Sequence, residues 1–143
     1  MKDVTTNIES LLADLPKREK SVDCIGMCGS ARSYMVSRIY EKLKKSIVVI
    51  LPDRKDAEIF IDELDFFFDG LKPDFLYFPP YNISPFKNVA YHNKTASQRI
   101  STLYRLVSGQ SHDIIVTTAD AICQKLIPKK ELCDYAELVM TGE

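Results

Sequence analysis

The sequence lacks a long apolar run and an excess of charge of either sign. Its 143 residues carry 19 Lys and Arg against 20 Asp and Glu. This balance excludes a global field that draws the chain to nucleic acid or to an acidic membrane, so any such contact needs a local patch. No run approaches the ~18 apolar residues of a membrane span. The opening MKDVTTNIES lacks the apolar centre of a secretory signal, so we expect a cytoplasmic protein without membrane contact.

The sequence also lacks a paired metal-ligand motif. Its four cysteines stand at 24, 28, 123 and 133, with no C-x-x-C pair and no histidine close enough in sequence to complete a zinc site. We therefore expect no metal site. Cys24 and Cys28 lie beside a predicted strand end, which predicts reduced, partly buried structural thiols.

What the sequence does contain is an alternation of apolar runs and helical patterns, which predicts an α/β fold. Four short runs predict a parallel sheet of about four strands with crossover helices, at 22–25, 46–51, 75–78 and 113–118.

The predicted helices occupy the segments between these runs. We expect one helix capped by Asp53 and ended by Gly70, a second from Lys94 to Gly109 with Ala96, Ile100, Leu103 and Val107 facing inward, and a short third closed by Pro128.

Three segments follow from this pattern. Residues 1–20 predict an N-terminal helix and a charged linker, and residues 21–128 form the α/β module. Residues 129–143 alternate weakly at Ala136, Leu138 and Met140, which is the pattern of a beginning strand.

The most informative stretch is GMCGSARS at 26–33, which follows the first predicted strand and precedes a helix. A phosphate-binding loop of the G-x-x-x-x-G-K-[ST] kind has this placement. Its glycines let backbone N–H groups curl round phosphates, its lysine neutralises them and its hydroxyl holds magnesium. On this sequence the second glycine falls on Ala31, the lysine on Arg32 and the hydroxyl on Ser33. The candidate degenerate phosphate loop therefore consists of Gly26, Gly29, Ser30, Ala31, Arg32 and Ser33.

The substitutions in this loop argue against catalysis. Ala31 adds a Cβ where the motif needs positive φ, and the planar fork of Arg32 does not replace a compact ammonium group. A magnesium-binding acid is also missing, because Asp120 and Asp53 are predicted to start helices. We expect no catalytic residue and no cofactor, although the loop amides can hold an anion weakly. An active P-loop enzyme and a nucleotide-binding regulatory module remain alternatives.

Several segments together resemble the N-terminal region of the bacterial transcription-repair coupling factor, over about residues 20–143. They are GMCGSARSYMVSRIY, VVILPDRKDAEIFIDELDFFF, FLYFPPYNISPF, ASQRISTLYRL and DIIVTTADAICQKLIP. That region of the family is similar to the first domain of the helicase-like subunit of nucleotide excision repair, whose phosphate loop is intact. The resemblance therefore implies a degenerate RecA-like half-module of the P-loop NTPase class. PPYNISPF lacks the tryptophan and the acidic residue that many members carry there.

The resemblance also implies what the parent protein does. Family members are large ATP-dependent DNA translocases, helicase-like in architecture, that displace RNA polymerase stalled at DNA damage and recruit the damage-recognition subunit of nucleotide excision repair. ATP and magnesium would bind a separate translocase module, and this chain would be a non-catalytic piece. Residues 129–143 would begin an inserted domain that carries the contact with the damage-recognition subunit, so most of that contact would be missing. One edge of the parallel sheet should be open.

Overall fold

The computed structural model of the chain describes residues 12, 21, 23–68, 73–81, 93–109 and 114–140. Helices and strands alternate along most of this length. In chain order they are α1 (Ala31–Leu43), β1 (Ile47–Leu51), α2 (Arg54–Phe67), β2 (Phe75–Phe78), α3 (Asn93–Ser108), β3 (Ile114–Thr118), α4 (Ala119–Cys123) and α5 (Lys129–Met140).

The described strands form a parallel sheet of three strands in the order β1-β3-β2. Val116 of β3 is paired with Val49 on one side and with Tyr77 on the other. All five residues of β3 are buried, as expected for an apolar strand covered on both faces. The predicted α/β class, the parallel pairing and three of the four predicted strands are confirmed.

The hydrophobic core lies between one face of this sheet and the helices α1 and α2. Phe60 and Leu64 of α2 are buried against Ile114 and Val116 of β3, and Tyr40 of α1 completes the cluster. Helix α2 begins where the sequence predicts, because the Asp53 carboxylate accepts a hydrogen bond from the Asp56 N–H at 2.9 Å. The rest of that predicted helix agrees up to Phe67, and Gly70 lies outside the described residues.

The two edges of the sheet differ. The Asp74 carbonyl, directly before β2, accepts a hydrogen bond from the Ile114 N–H of β3. Because carbonyls alternate in direction along a strand, the carbonyl of Tyr77 points away from β3, towards the outer edge of the sheet. Helix α3 covers this edge. The Thr102 hydroxyl donates to the Tyr77 carbonyl at 3.0 Å, and Arg99 donates to the Pro79 carbonyl at 2.7 Å. The described residues place no strand beside the outer edge of β1.

The predicted strand at 22–25 is wrong for its described part. Residues 23–25 have no strand structure and are exposed, with 95% of Ile25 accessible to solvent. A short apolar segment becomes a strand only when a neighbour satisfies its backbone groups, and no described strand adjoins these residues. The expected partial burial of Cys24 and Cys28 is therefore also wrong. All four cysteines are free; Cys133 is half-buried and the other three are exposed.

The predicted strand in the tail is also wrong, since residues 129–140 form helix α5. Leu132 of this helix is buried at 3% exposure. The apolar residues at 132, 136 and 140 also fit a helical spacing of four, and three alternating positions are too few to separate the two patterns. Helix α4 ends at Cys123 rather than near Pro128, whereas α3 ends at Ser108, directly before the predicted Gly109, whose φ is +65°.

The predicted N-terminal helix lies outside the described residues, apart from Leu12, which is helical and buried. Within the part of the chain that the structure describes, no helix is both long enough and apolar enough to cross a membrane.

Candidate functional site

The glycine-containing loop leads directly into α1. Gly26 and Gly29 have φ values of +83° and +54°, in the left-handed region that favours glycine. The Ala31 N–H donates to the Cys28 carbonyl at 3.3 Å, which closes a turn before the helix. Ser30 is the N-cap residue, although its side chain makes no capping hydrogen bond. The described residues 23–25 before this loop form no strand, so the described part of the strand-loop-helix arrangement starts at the loop.

Ala31 does not have the backbone conformation that the motif comparison predicts. It is the first residue of α1 and therefore has helical backbone angles. Among the described residues other than glycine, Lys44 has a positive φ, at 50°, and Ala31 does not. The expected strain from the alanine Cβ is therefore absent, because the two glycines already make the turns that the loop requires.

Ser33, at the magnesium-binding position of the motif, points into the contact between α1 and α2. It is fully buried, and its Oγ donates to Oε2 of Glu63 at 2.5 Å. This hydroxyl is engaged in joining two helices, and the nearest charge is a carboxylate that would repel a phosphate. Arg32 beside it is half-buried. These residues do not fit a magnesium-bound triphosphate.

The two acidic residues considered as magnesium ligands both begin helices. Asp120 lies exposed in the first turn of α4, where the Thr118 hydroxyl accepts from the Ala121 N–H at 3.3 Å as the cap. Asp53 caps α2. The prediction that both acids serve helix starts is confirmed, and their position agrees with the preference of carboxylates for helix N-termini.

A cluster around Arg99, at the carboxyl ends of β2 and β3, was not predicted from the sequence. Arg99 is 2% exposed, and its guanidinium carbon lies 4.0 Å from the ring centroid of Phe78 and 4.2 Å from that of Tyr81. Nη1 donates to the Pro79 carbonyl at 2.7 Å and to Oε1 of Gln124 at 3.2 Å. The arginine is thus held between two aromatic rings and bonded on the same side to backbone and amide oxygens.

Gln124 links this cluster to the residues that follow β2. Its Oε1 accepts from the Tyr81 N–H at 2.8 Å, and its Nε2 donates to the Tyr81 carbonyl at 3.2 Å. The amide therefore pairs with Tyr81 as a neighbouring strand would. These hydrogen bonds fix the backbone at 79–81.

Sequence reasoning missed Arg99 because the inward face of α3 was assigned from apolar residues alone. Ile100, predicted to face inward, is 48% exposed, whereas Arg99 and Thr102 are buried. The signal was available in the spacing, since Arg99 lies three residues after Ala96 and four before Leu103, on their face of the helix.

Two curated proteins are similar to the chain in sequence. The transcription-repair-coupling factor of Myxococcus xanthus is 25% identical over 122 residues, which cover 82% of this chain and 10% of that protein. The transcription-repair-coupling factor of Escherichia coli (strain K12) is 25% identical over 117 residues, with the same coverage of both. The chain resembles the transcription-repair coupling factors.

This similarity confirms the resemblance inferred from the residues, and transcription-coupled DNA repair is the process in the names of both relatives. The chain spans about a tenth of the length of these coupling factors. No protein-family model matches it.

Proposed function

We propose that the chain is the N-terminal, non-catalytic module of a transcription-repair coupling factor, a degenerate RecA-like half-module that helps to dock or regulate repair proteins. Two observations support this proposal. The similarity to coupling factors extends over 82% of the chain. The Ser33 hydroxyl stands where an active phosphate loop has its magnesium ligand, but here it donates a hydrogen bond to Glu63.

In this proposal the whole parent protein is an ATP-dependent DNA translocase that works in the cytoplasm. It displaces stalled RNA polymerase and recruits the damage-recognition subunit of nucleotide excision repair. ATP and magnesium bind elsewhere in the parent. The main contact with the damage-recognition subunit lies in the inserted domain, of which residues 129–143 are the beginning.

The sheet supports a half-module that the rest of the parent completes. Its outer strand β1 exposes 61% of Val48 and 54% of Ile50. Parallel sheets in α/β proteins are usually covered on both faces, so these side chains fit a surface that a further part of the parent covers.

Calorimetric titration with ATP and ADP, with and without magnesium, tests the absence of nucleotide binding. We expect no binding tighter than about 10 μM, or roughly −6.8 kcal/mol. If nucleotide binds more tightly than this and Arg32→Ala abolishes the binding, the chain is a nucleotide-binding regulatory module and not a module that only docks other proteins. Magnesium-dependent release of phosphate would support the active-enzyme alternative.

Restoring the motif provides a sharper control. The double variant Ala31→Gly, Arg32→Lys recreates the G-K-S end of the motif, yet we expect it to remain unable to bind magnesium-ATP because Ser33 still donates to Glu63. Tight binding by this variant would show that the two substitutions, rather than the position of Ser33, prevent nucleotide binding.

A pull-down with the damage-recognition subunit of excision repair tests the partner assignment. We expect the chain alone not to retain this partner, and a longer chain that extends through the inserted domain to retain it. Retention by the short chain would place the contact within residues 1–143.

A further inference from the structure

The outer side of α2 carries large apolar side chains in solvent. Ile59 and Phe66 are 46% and 83% exposed, and Asp62 between them is exposed as well. Residues spaced by three, four and seven lie on one side of a helix. We call Ile59, Asp62 and Phe66 the outer stripe of α2. It faces away from Phe60 and Leu64, which α2 buries in the core.

The aromatic end of this stripe is supported by neighbouring rings. Phe66 contacts Phe67 edge to face, with centroids 5.3 Å apart, and Phe67 contacts Tyr34 of α1 at 5.4 Å. Tyr34 is itself 39% exposed. An exposed aromatic ring held by other rings loses little side-chain freedom when a partner covers it, so this group of rings is prepared for binding.

The charges that α2 itself carries beside the stripe have one sign. After Lys55, α2 contains five acidic residues and no basic residue. Glu58 and Asp65 beside the stripe are exposed. Glu58 pairs with Arg54 at 2.8 Å in the first turn, whereas the exposed Asp62 of the stripe lies one turn later.

Acidic and apolar side chains together select the class of partner. The negative charge disfavours nucleic acid and acidic lipid, both of which need basic side chains. Exposed aromatics rimmed by charge are typical of protein contact surfaces. We propose that the outer stripe of α2 binds a basic amphipathic segment of a partner protein. The apolar side chains of that segment cover Ile59 and Phe66, and its Lys or Arg side chains face Asp62 and its acidic neighbours. This contact does not depend on the coupling-factor assignment.

Binding of synthetic peptides to the whole chain tests this proposal. The probe is a fluorescein-labelled peptide of leucine and lysine, as long as α2, with leucines at helical spacing. The matched control peptide has glutamate in place of every lysine. We expect fluorescence anisotropy to show saturable binding of the lysine peptide, weakened by added salt because the charges are exposed. In amide spectra of the ¹⁵N-labelled chain, we expect shifts concentrated on α2.

Two variants and their controls distinguish binding at the stripe from nonspecific hydrophobic or electrostatic binding. Phe66→Ala should weaken binding about tenfold or more, because the largest exposed apolar surface of the stripe is removed. Asp62→Lys should weaken it through charge reversal. Leu126→Ala removes another exposed apolar side chain and Asp134→Lys reverses another exposed acid, and neither should alter binding.

The fold should tolerate Phe66→Ala because most of this side chain is in solvent. An unchanged thermal midpoint would verify this. The proposal is overturned if the glutamate peptide binds as tightly as the lysine peptide, or if Phe66→Ala and Leu126→Ala behave alike. It is also overturned if the amide shifts lie away from α2, or if no binding occurs up to about 1 mM, roughly −4.1 kcal/mol.

Discussion

Replacing Arg99 with methionine should destabilise the chain strongly, although this position would normally be counted among the polar residues of a helix. Arg99 is buried between Phe78 and Tyr81 and donates to the Pro79 carbonyl. Methionine preserves much of the apolar volume while removing the charge, the planar stacking and the hydrogen bonds.

The size of the effect follows from these contacts. A desolvated cation–π contact contributes about 1–2 kcal/mol, and a hydrogen bond from a charged group about 1.5–3 kcal/mol. Methionine recovers part of this lost stabilisation through its own packing, and it avoids the cost of burying a guanidinium group. We therefore expect a loss of about 2–4 kcal/mol. With typical urea slopes this lowers the unfolding midpoint by about 1–2 M.

Urea unfolding followed by far-ultraviolet circular dichroism measures this loss. Tyrosine fluorescence serves as a second probe, since the chain has no tryptophan. Arg105→Met is the matched control on the same helix, because Arg105 forms an exposed ion pair with Asp74 and its loss should cost less than about 1 kcal/mol. Arg99→Lys retains the charge without the planar fork and should also be destabilised.

The reasoning is refuted if the free energy of unfolding of Arg99→Met is within about 0.5 kcal/mol of that of the native chain, which is the usual range for a surface substitution. It is also refuted if Arg99→Met and Arg105→Met lose equal stability. If Arg99→Lys is as stable as the native chain, the positive charge and not the stacking of the guanidinium group stabilises the cluster.

Three further predictions concern the loop and the core. Ser33→Ala should cost about 1–3 kcal/mol in urea unfolding because Glu63 loses its partly buried donor, whereas Ser30→Ala should change little. Equal losses would contradict this. Gly29→Ala should cost about 1 kcal/mol in thermal melting because of its φ of +54°, and an unchanged midpoint would contradict the left-handed turn. Burial raises the pKa of Tyr77 above 10.0, so its contribution to stability persists below that pH and declines above it as the unfolded chain loses the proton. When the pH is raised from neutral to above 10.0, the free energy of unfolding should therefore fall less in Tyr77→Phe than in the native chain. Identical pH profiles of the two proteins would contradict the raised pKa.

Local patterns were sufficient where neighbouring residues decide the outcome. The β-branched runs at β1 and β3 predicted the positions of two parallel strands, although only β3 is buried along its whole length. Asp53 and Gly109 marked helix ends within a few residues. These signals depend on side-chain shape, backbone freedom and capping, all of which act over one helical turn.

Local patterns failed where distant residues decide the outcome. The run at 22–25 was predicted as a strand, but no described strand adjoins residues 23–25. The tail pattern fitted both a strand and a helix. Arg99 is buried because Phe78, Tyr81 and Gln124 come together around it, from segments far apart in the chain.

The sequence by itself determined the α/β class, most strand positions and the resemblance to coupling factors. It also showed that the candidate phosphate loop lacks the second glycine and the lysine of the motif. Only the tertiary structure decided how the remaining loop residue is used. Ser33 reaches Glu63 because α1 packs against α2, which converts a potential magnesium ligand into a link between helices. Thirty residues separate the two side chains in sequence, so no local pattern could indicate their contact.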